Sequence, residues 1–318
     1  MTTTLELRQP APLDLTGYRL GQPQRAGVLT VVPLFGPAYP GIGSPAAVKL
    51  ARVVGYGKCL LANSGEGVAI VPLHIGYIQD AAQNHALCRS AFMAPGQELL
   101  FADACCVQQS QGGYISDRGH GLFVLPVELR AAALDLRGVE NYSKLWPAIA
   151  TLNTSYGLPG RGHLEQVLTR KYAVLTQYQS RLELLPEQVG ALFFIGERLA
   201  GIEIAPDPRY FAEMWVALAC FAYGPAAWHA RTVDEPADPY DVSTLDELRE
   251  ALAEDRRAVA ERTIRWLAEA PWQVSDIEET ERFLDLRLST VHGDAVAGQI
   301  VTDGKRLVYA SLFCRETA

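Results

Sequence analysis

The polar side chains that could do chemistry in this sequence are concentrated between positions 83 and 109. Gln83-Asn84-His85 opens the stretch, an apolar run with a Pro95-Gly96 turn follows, and Glu98 to Val107 leads into Gln108-Gln109. Gln83, Asn84, Gln108 and Gln109 are amides, which neither give nor take a proton near neutral pH. Each offers two donors and two acceptor lone pairs, the set that reads a nucleobase edge or the hydroxyls of a ribose. His85 adds a group that titrates near neutrality. The same residues also suit a second role, internal bracing between two strands with every amide satisfied by backbone. Both readings stay open at this point. The Gly-rich loop that follows, marked by Gly112-Gly113 and Gly119, carries Asp117, Arg118 and His120. Long loops of this kind often carry function. The candidate ligand-binding set is therefore Gln83, Asn84, His85, Gln108, Gln109, Arg118 and His120; no catalytic residue is assigned. A hydrolytic use of His120 with Asp117 has only their closeness in sequence behind it.

Other chemistries lack a pattern. The six histidines, His74, His85, His120, His163, His229 and His292, stand in no Gly-x-Ser-x-Gly or His-Glu-x-x-His setting. No pair of histidines or carboxylates has ligand spacing on one helix, so no metal is expected. The loop Asn63-Ser64-Gly65-Glu66-Gly67 is not followed by Gly-Lys-Ser/Thr, and no dinucleotide fingerprint is present, so no cofactor is expected either. Six cysteines are widely spread with no Cys-x-x-Cys pair; Cys105 and Cys106 would face opposite sides of a strand. They read as buried thiols in a reducing compartment.

The elements that must position these residues are strands first, then helices, then strands. Gly17 to Leu20 and Gly27 to Phe35 read as strands, with Pro33 suggesting an edge or a strand end. Pro45 to Leu50 reads as a short helix. Lys58 to Ala62 and Val68 to Leu73 flank a hairpin-type loop, Glu98 to Val107 reads as a strand buried on both faces, and Gly121 to Pro126 as another strand. Helical spacing covers Val127 to Leu134, Asn141 to Leu152 and Leu164 to Leu182. Gly190 to Ala205 reads as a tight hairpin. Asp207-Pro208 starts a helix that Gly224-Pro225 stops. An acidic, Pro-rich linker at 233–242 precedes a charged amphipathic helix at 243–268, for which Ser243 and Asp246 resemble a capping pair. Glu281 to Thr290 reads as one alternating strand, and Gly298 to Thr302 pairs with Arg306 to Phe313 across Asp303-Gly304. The expected fold class is α+β, a largely antiparallel sheet from N- and C-terminal strands with a central helical segment. Residues 1–12 are expected as a flexible arm and 13–318 as one domain.

Bulk properties narrow the partners. The chain has 318 residues, 49% hydrophobic and 20% charged, enough to bury a large core. A net charge of −8 without any Lys/Arg-rich run argues against general nucleic-acid binding. No apolar run is long enough to span a bilayer, and Met1 to Pro12 lacks a signal-peptide layout. A soluble, cytoplasmic protein with no membrane partner is expected; the sequence gives no oligomeric state.

Ala82-Gln83-Asn84-His85, Phe92-Met93-Ala94-Pro95-Gly96 and Cys106-Val107-Gln108-Gln109 together resemble the core of the ARG-and-rhodanese-phosphatase-superfamily-associated protein domain. That family carries Gly-Ala-Lys-Gln-Asn-Arg, then an apolar segment with Pro-Ala-Gly, then Cys-Val-Glu-Gln-Gly-Arg-Trp. Gly17-Tyr18-Arg19-Leu20, Val32 to Phe35, Leu129-Arg130, Trp146, the hairpin from Gly190 to Gly201 and the C-terminal strands run parallel to it. The resemblance implies a nucleotide-type small molecule of ADP-ribose or NAD metabolism as ligand. The departures fall on the ionisable members. Ala82 stands where the family has Lys, His85 where it has Arg, and Gln108 where it has Glu. Ser110-Gln111-Gly112-Gly113-Tyr114 replaces Gly-Arg-Trp, and Arg118 is the candidate substitute cation. What remains favours recognition over catalysis, with a non-catalytic structural or interaction role as the alternative.

Overall fold

The computed structural model of the protein describes residues 13, 15–78, 83–109, 122–233, 241–269 and 274–315. The N-terminal part is all strand: β1 (Arg19–Leu20), β2 (Gln24–Ala26), β3 (Leu29–Phe35), β4 (Ile42–Gly43), β5 (Val48–Gly55), β6 (Lys58–Asn63), β7 (Val68–Ile70) and β8 (Ile75–Tyr77). It continues through β9 (His85–Ala86), β10 (Phe92–Met93), β11 (Glu98–Phe101), β12 (Cys105–Cys106) and β13 (Leu122–Val124). The helical segment holds α1 (Val127–Asp135), α2 (Trp146–Ser155), α3 (Glu165–Arg170), α4 (Tyr172–Leu175) and α5 (Gln177–Arg181). The hairpin β14 (Gln188–Ile195) and β15 (Arg198–Ile204) follows, then α6 (Pro208–Val216), α7 (Gly224–Val233) and α8 (Leu245–Glu269). Four strands close the chain: β16 (Val274–Phe283), β17 (Leu286–Gly293), β18 (Val296–Asp303) and β19 (Arg306–Cys314).

The organising layer is a nine-stranded sheet in the order β1-β3-β14-β15-β19-β18-β17-β16, with β2 also paired to β3. Every pairing in it is antiparallel. The fold is α+β, with N- and C-terminal strands in one sheet and the central hairpin β14–β15 inserted between them. Period-2 alternation gives the sheet two buried faces. Ala191 and Phe193 join a large core cluster with the small sheets and central helices, while Val189, Leu192 and Phe194 join a second cluster with Leu13, Leu15 and Val259 of α8.

Several local expectations need correction. Pro33 is not at an edge: β3 pairs with β14 on one side and with β1 and β2 on the other. The Pro33 carbonyl accepts from Gly21 N at 2.7 Å, on the side where β1 gives way to β2, so the missing N–H falls where the ladder is already interrupted. Pro45–Ala47 is a single 3-10 turn, and the chain from Val48 is strand. β6 and β7 do not form a hairpin, because β6 joins β5 and β11 while β7 joins β10 and β4. The Asn63 amide shapes the turn between them, donating to Gly67 O at 3.0 Å and Met93 O at 3.0 Å and accepting from Gly65 N at 2.9 Å. Glu98 to Val107 is two strands in different sheets, and β11 is partly exposed. The region 164–182 divides into α3, α4 and α5. Gly224 ends one helical stretch but opens α7. The cap of α8 sits one residue later than expected: Thr244 Oγ1 accepts from Glu247 N, and the Glu247 carboxylate accepts from Ser243 N at 2.6 Å. Leu284, at φ 52°, turns the chain inside what reads as one strand. The arm 1–12 and residues 234–240 of the linker lie outside the described residues. No helix among the described residues is long and apolar enough to cross a membrane.

Helix α1 is fixed to the sheet by Arg130, which is wholly buried. Its guanidinium donates to Glu203 Oε1 on β15 at 2.5 Å, to the Tyr223 hydroxyl at 3.3 Å, to Ser311 Oγ on β19 and, through Nε, to His74 Nδ1 at 3.2 Å. It also lies 4.9 Å over the Phe313 ring. Tyr223 donates to the same Glu203 oxygen at 2.7 Å and reaches it over Gly201, where a Cβ would collide with the hydroxyl. Burial alone would lower the Arg130 pKa, but Glu203, Tyr223 and Tyr309 together more than offset it. Removing one member of such a pair strands the other charge. Arg130→Ala is therefore expected to cost about 3–5 kcal/mol in equilibrium denaturation. A loss below about 1 kcal/mol would show that the network does not hold α1.

Candidate functional site

The two ends of the 83–109 stretch meet. β9 pairs antiparallel with β12, Cys105 opposite Ala86 and Cys106 opposite His85, in the small sheet β12-β9-β8-β13. The middle leaves for other sheets, β10 to β7 and β11 to β6, around a turn in which the Gln97 amide accepts from Ala94 N at 2.7 Å. The arms of the Pro95-Gly96 turn thus do not pair with each other.

The pairing brings the amides together. Gln83 Nε2 donates to Gln108 O at 2.9 Å, Asn84 N donates to Gln108 Oε1 at 2.9 Å, and Val107 N donates to Asn84 O at 3.0 Å. Gln109 reaches instead to the segment after α2. Its N–H donates to Gly162 O at 2.9 Å and its side-chain oxygen accepts from Gly162 N at 2.7 Å. Gln108 forms a bridge with His163, and Trp146 Nε1 donates to Cys106 O at 2.9 Å. Gln83, Asn84, His85, Gln108 and Gln109 therefore form one frame, with Asn84, His85 and Gln108 buried and Gln109 exposed. Arg118 and His120, and Asp117 with them, lie outside the described residues.

The frame is not saturated. His85 Nδ1 lies 3.0 Å from the Gln83 carbonyl, which can only accept, so this nitrogen carries the hydrogen and Nε2 presents a lone pair. Burial lowers the His85 pKa, partly offset by that hydrogen bond, and keeps the ring neutral. His85 Nε2 and Gln108 Nε2 are both buried with no hydrogen-bond partner among the described residues. Extended geometry puts positions 85, 106 and 108 on one face. The frame thus holds one uncharged acceptor, His85 Nε2, and one uncharged donor, Gln108 Nε2, each without a partner among the described residues.

The C-terminal end of α2 extends this set with residues that sequence reasoning missed. Asn153 Nδ2 donates to Arg161 O at 2.7 Å and His163 O at 3.1 Å, while its Oδ1 has no partner among the described residues. Gln166 Oε1 is buried in the same condition. Tyr156, which caps α2, donates to Glu128 Oε1 at 2.5 Å and stacks on His229 with centroids 4.6 Å apart. The Glu128 carboxylate is enclosed although the residue is partly exposed, and burial raises its pKa, the Tyr156 bond opposing. Burial thus favours the protonated form of Glu128 relative to a free carboxyl. Nothing in the local sequence marked it; it is a first-turn acid of α1 whose partner stands 28 positions on.

A second polar centre, around Arg130, is closed. The cavity beside it, lined by Pro72, Leu73, Glu203, Tyr210, Tyr309 and Ser311, is about 20 Å³, room for one water and far too small for a nucleotide. His74 stands there at φ 62°, a left-handed backbone uncommon outside glycine.

These features define an α+β protein with a neutral, hydrogen-bonding frame where the resemblance placed its motif. The chain belongs to the ARG and Rhodanese-Phosphatase-superfamily-associated Protein domain family, ARPP-1, whose model matches residues 17–313. No curated protein and no solved structure matches the chain.

Two outcomes follow from the frame. Gln108→Ala removes the acceptor for a buried N–H and should cost about 1–3 kcal/mol in urea denaturation, more than Gln83→Ala, whose side chain is partly exposed. Burial lowers the folded-state pKa of His74, His85 and His163. The unfolded chain then binds more protons below the ordinary histidine pKa of about 6.5. Stability should be flat above that pH and decline as pH falls from there toward the lowered folded values, read as a falling urea midpoint. A midpoint unchanged between neutral and mildly acidic pH would contradict the buried, neutral state.

Proposed function

We propose that the protein binds a nucleotide-type small molecule of ADP-ribose or NAD metabolism at the frame formed by Gln83, Asn84, His85, Gln108 and Gln109, in a cytoplasmic setting. The observation that carries this reading is the set of buried polar atoms left without partners among the described residues: His85 Nε2, Asn153 Oδ1 and Gln166 Oε1 as acceptors and Gln108 Nε2 as donor. Buried polar atoms are nearly always paired, and an unpaired set calls for a ligand or water. This set is uncharged and rich in acceptors, which suits ribose hydroxyls and the amino or carboxamide groups of a base rather than phosphate. Phosphate recognition would fall to a cation at the rim, with Arg161, exposed beside His163, and Arg118 as candidates. His120, two positions from Arg118 in the sequence, remains a candidate ligand contact.

A second reading has its own observation. Gln83 Nε2, Gln108 Oε1 and Gln109 Oε1 all bond to backbone groups, as internal bracing requires. In that reading the chain is a structural or interaction protein and the unpartnered atoms hold water.

Titration with ADP-ribose, NAD, AMP and ribose phosphates, followed by calorimetry and thermal shift, separates the two. Ligand binding predicts stabilisation by RT ln(1 + [L]/Kd), about 2.7 kcal/mol at a hundredfold excess over Kd. Absence of heat and of any shift with all four at millimolar concentration would leave bracing as the account.

A further inference from the structure

A pair of thiols lies behind the frame and takes no part in the reading above. Cys88 follows β9 and Cys105 opens β12; both are fully buried, and their sulfur atoms are 2.9 Å apart without a bond. A disulfide needs sulfurs about 2.05 Å apart, so closure asks for a shift of less than about 1 Å. Lys144 is clamped beside the pair by three backbone carbonyls, donating to Asp103 O at 2.7 Å, Leu136 O at 2.8 Å and Val139 O at 2.7 Å. The pair is polarised: the hydrogen bond from Cys105 and the charge of Lys144 hold the Cys88 thiol below its ordinary range, against burial, while its partner is pushed up. The other thiols differ. Burial raises Cys106 and pushes Cys59 up to about 12, Cys220 to about 11 and Cys314 to about 12. None of these has a sulfur–sulfur contact like that of Cys88 and Cys105 among the described residues.

We propose that Cys88 and Cys105 are a redox-active dithiol that closes to a disulfide with hydrogen peroxide as oxidant. The Cys88 thiolate attacks one peroxide oxygen; an S–O bond forms, the O–O bond breaks, and the departing hydroxide leaves as water with the proton that Cys88 released. The Cys105 sulfur then attacks the sulfenic sulfur of Cys88; the S–S bond forms, the S–O bond breaks, and the oxygen leaves as a second water with the Cys105 proton. The two sulfurs give up two electrons, and peroxide takes them. Enclosure of both sulfurs selects a small uncharged oxidant over a bulky disulfide such as oxidised glutathione. The bond would tie the end of β9 to β12, the two strands that hold Asn84 and His85 against Gln108.

The test uses the full chain: treatment with hydrogen peroxide, alkylation under denaturing conditions, and peptide mapping by mass spectrometry. The expected result is loss of two hydrogens, one cross-linked peptide pair joining Cys88 to Cys105, and full reversal by dithiothreitol, with Cys59, Cys106, Cys220 and Cys314 still alkylated. Lys144→Met should slow the reaction several-fold. The proposal is overturned if Cys88 and Cys105 stay alkylatable, if they gain oxygen without a cross-link, or if the cross-link joins other cysteines. The wild-type map decides the matter even if Cys88→Ser or Cys105→Ser fails to fold.

Discussion

The structure depends on one buried ion pair. Arg130 and Glu203 come from a helix and a central strand 73 positions apart, and both are buried. Removing two charges from water is costly, and only a fully hydrogen-bonded arrangement offsets it. Here the arrangement is nearly complete: Tyr223, Ser311, His74 and the face of Phe313 surround the guanidinium. These partners come from several elements, so the pair joins α1, β15, β19 and the turn before β8 into one unit. It also bears on the candidate site at one remove. Glu128 lies two residues before Arg130 on α1, so the anchor that seats Arg130 in the sheet determines where Glu128 meets Tyr156 of α2.

From there the frame is built by local pairing. The end of α2 presents Asn153 to the carbonyls of Arg161 and His163, and that segment lies along Gln108 and Gln109. Gln108 in turn satisfies the backbone of Asn84 and positions Gln83. The amides spend part of their hydrogen-bonding capacity on rigidity. The atoms they leave over, with His85 Nε2, face a protein interior in which no described group answers them. Bracing and the proposed recognition would therefore draw on one network rather than on separate residues.

Much of the fold was legible in the sequence, because long β-rich runs, the hairpin Gly190 to Ala205, the Asp207-Pro208 helix start and the C-terminal hairpin each carry a strong local signal. Asp207 does cap α6, accepting from Tyr210 N at 2.8 Å. What failed was decided by long-range pairing. Val48 to Gly55 holds Lys49 and Arg52 on an exposed strand and shows no apolar alternation. Glu98 to Val107 looks continuous until Asp103 draws the chain aside, accepting from Gly138 N at 2.8 Å. Leu284 shows no turn preference, yet its positive φ divides two strands. At the site, the amides were visible as residue types and their convergence followed from β9–β12 pairing. Glu128, Asn153 and Gln166 were not visible, since a helix residue shows its burial only once its neighbours are placed. Arg130 was noticed only within the dipeptide Leu129-Arg130, because nothing near it names Glu203.

The central claim is that the leftover polar atoms of the frame meet a ligand. The most direct measurement is nuclear magnetic resonance of the Gln108 side-chain amide during titration of the isotopically labelled chain with ADP-ribose. Recognition at the frame predicts saturable displacement of the two Gln108 Nε2 proton resonances, with the Gln97 amide, which serves only its own turn, unmoved. Gln108 resonances that stay fixed while ADP-ribose reaches millimolar concentration would contradict it.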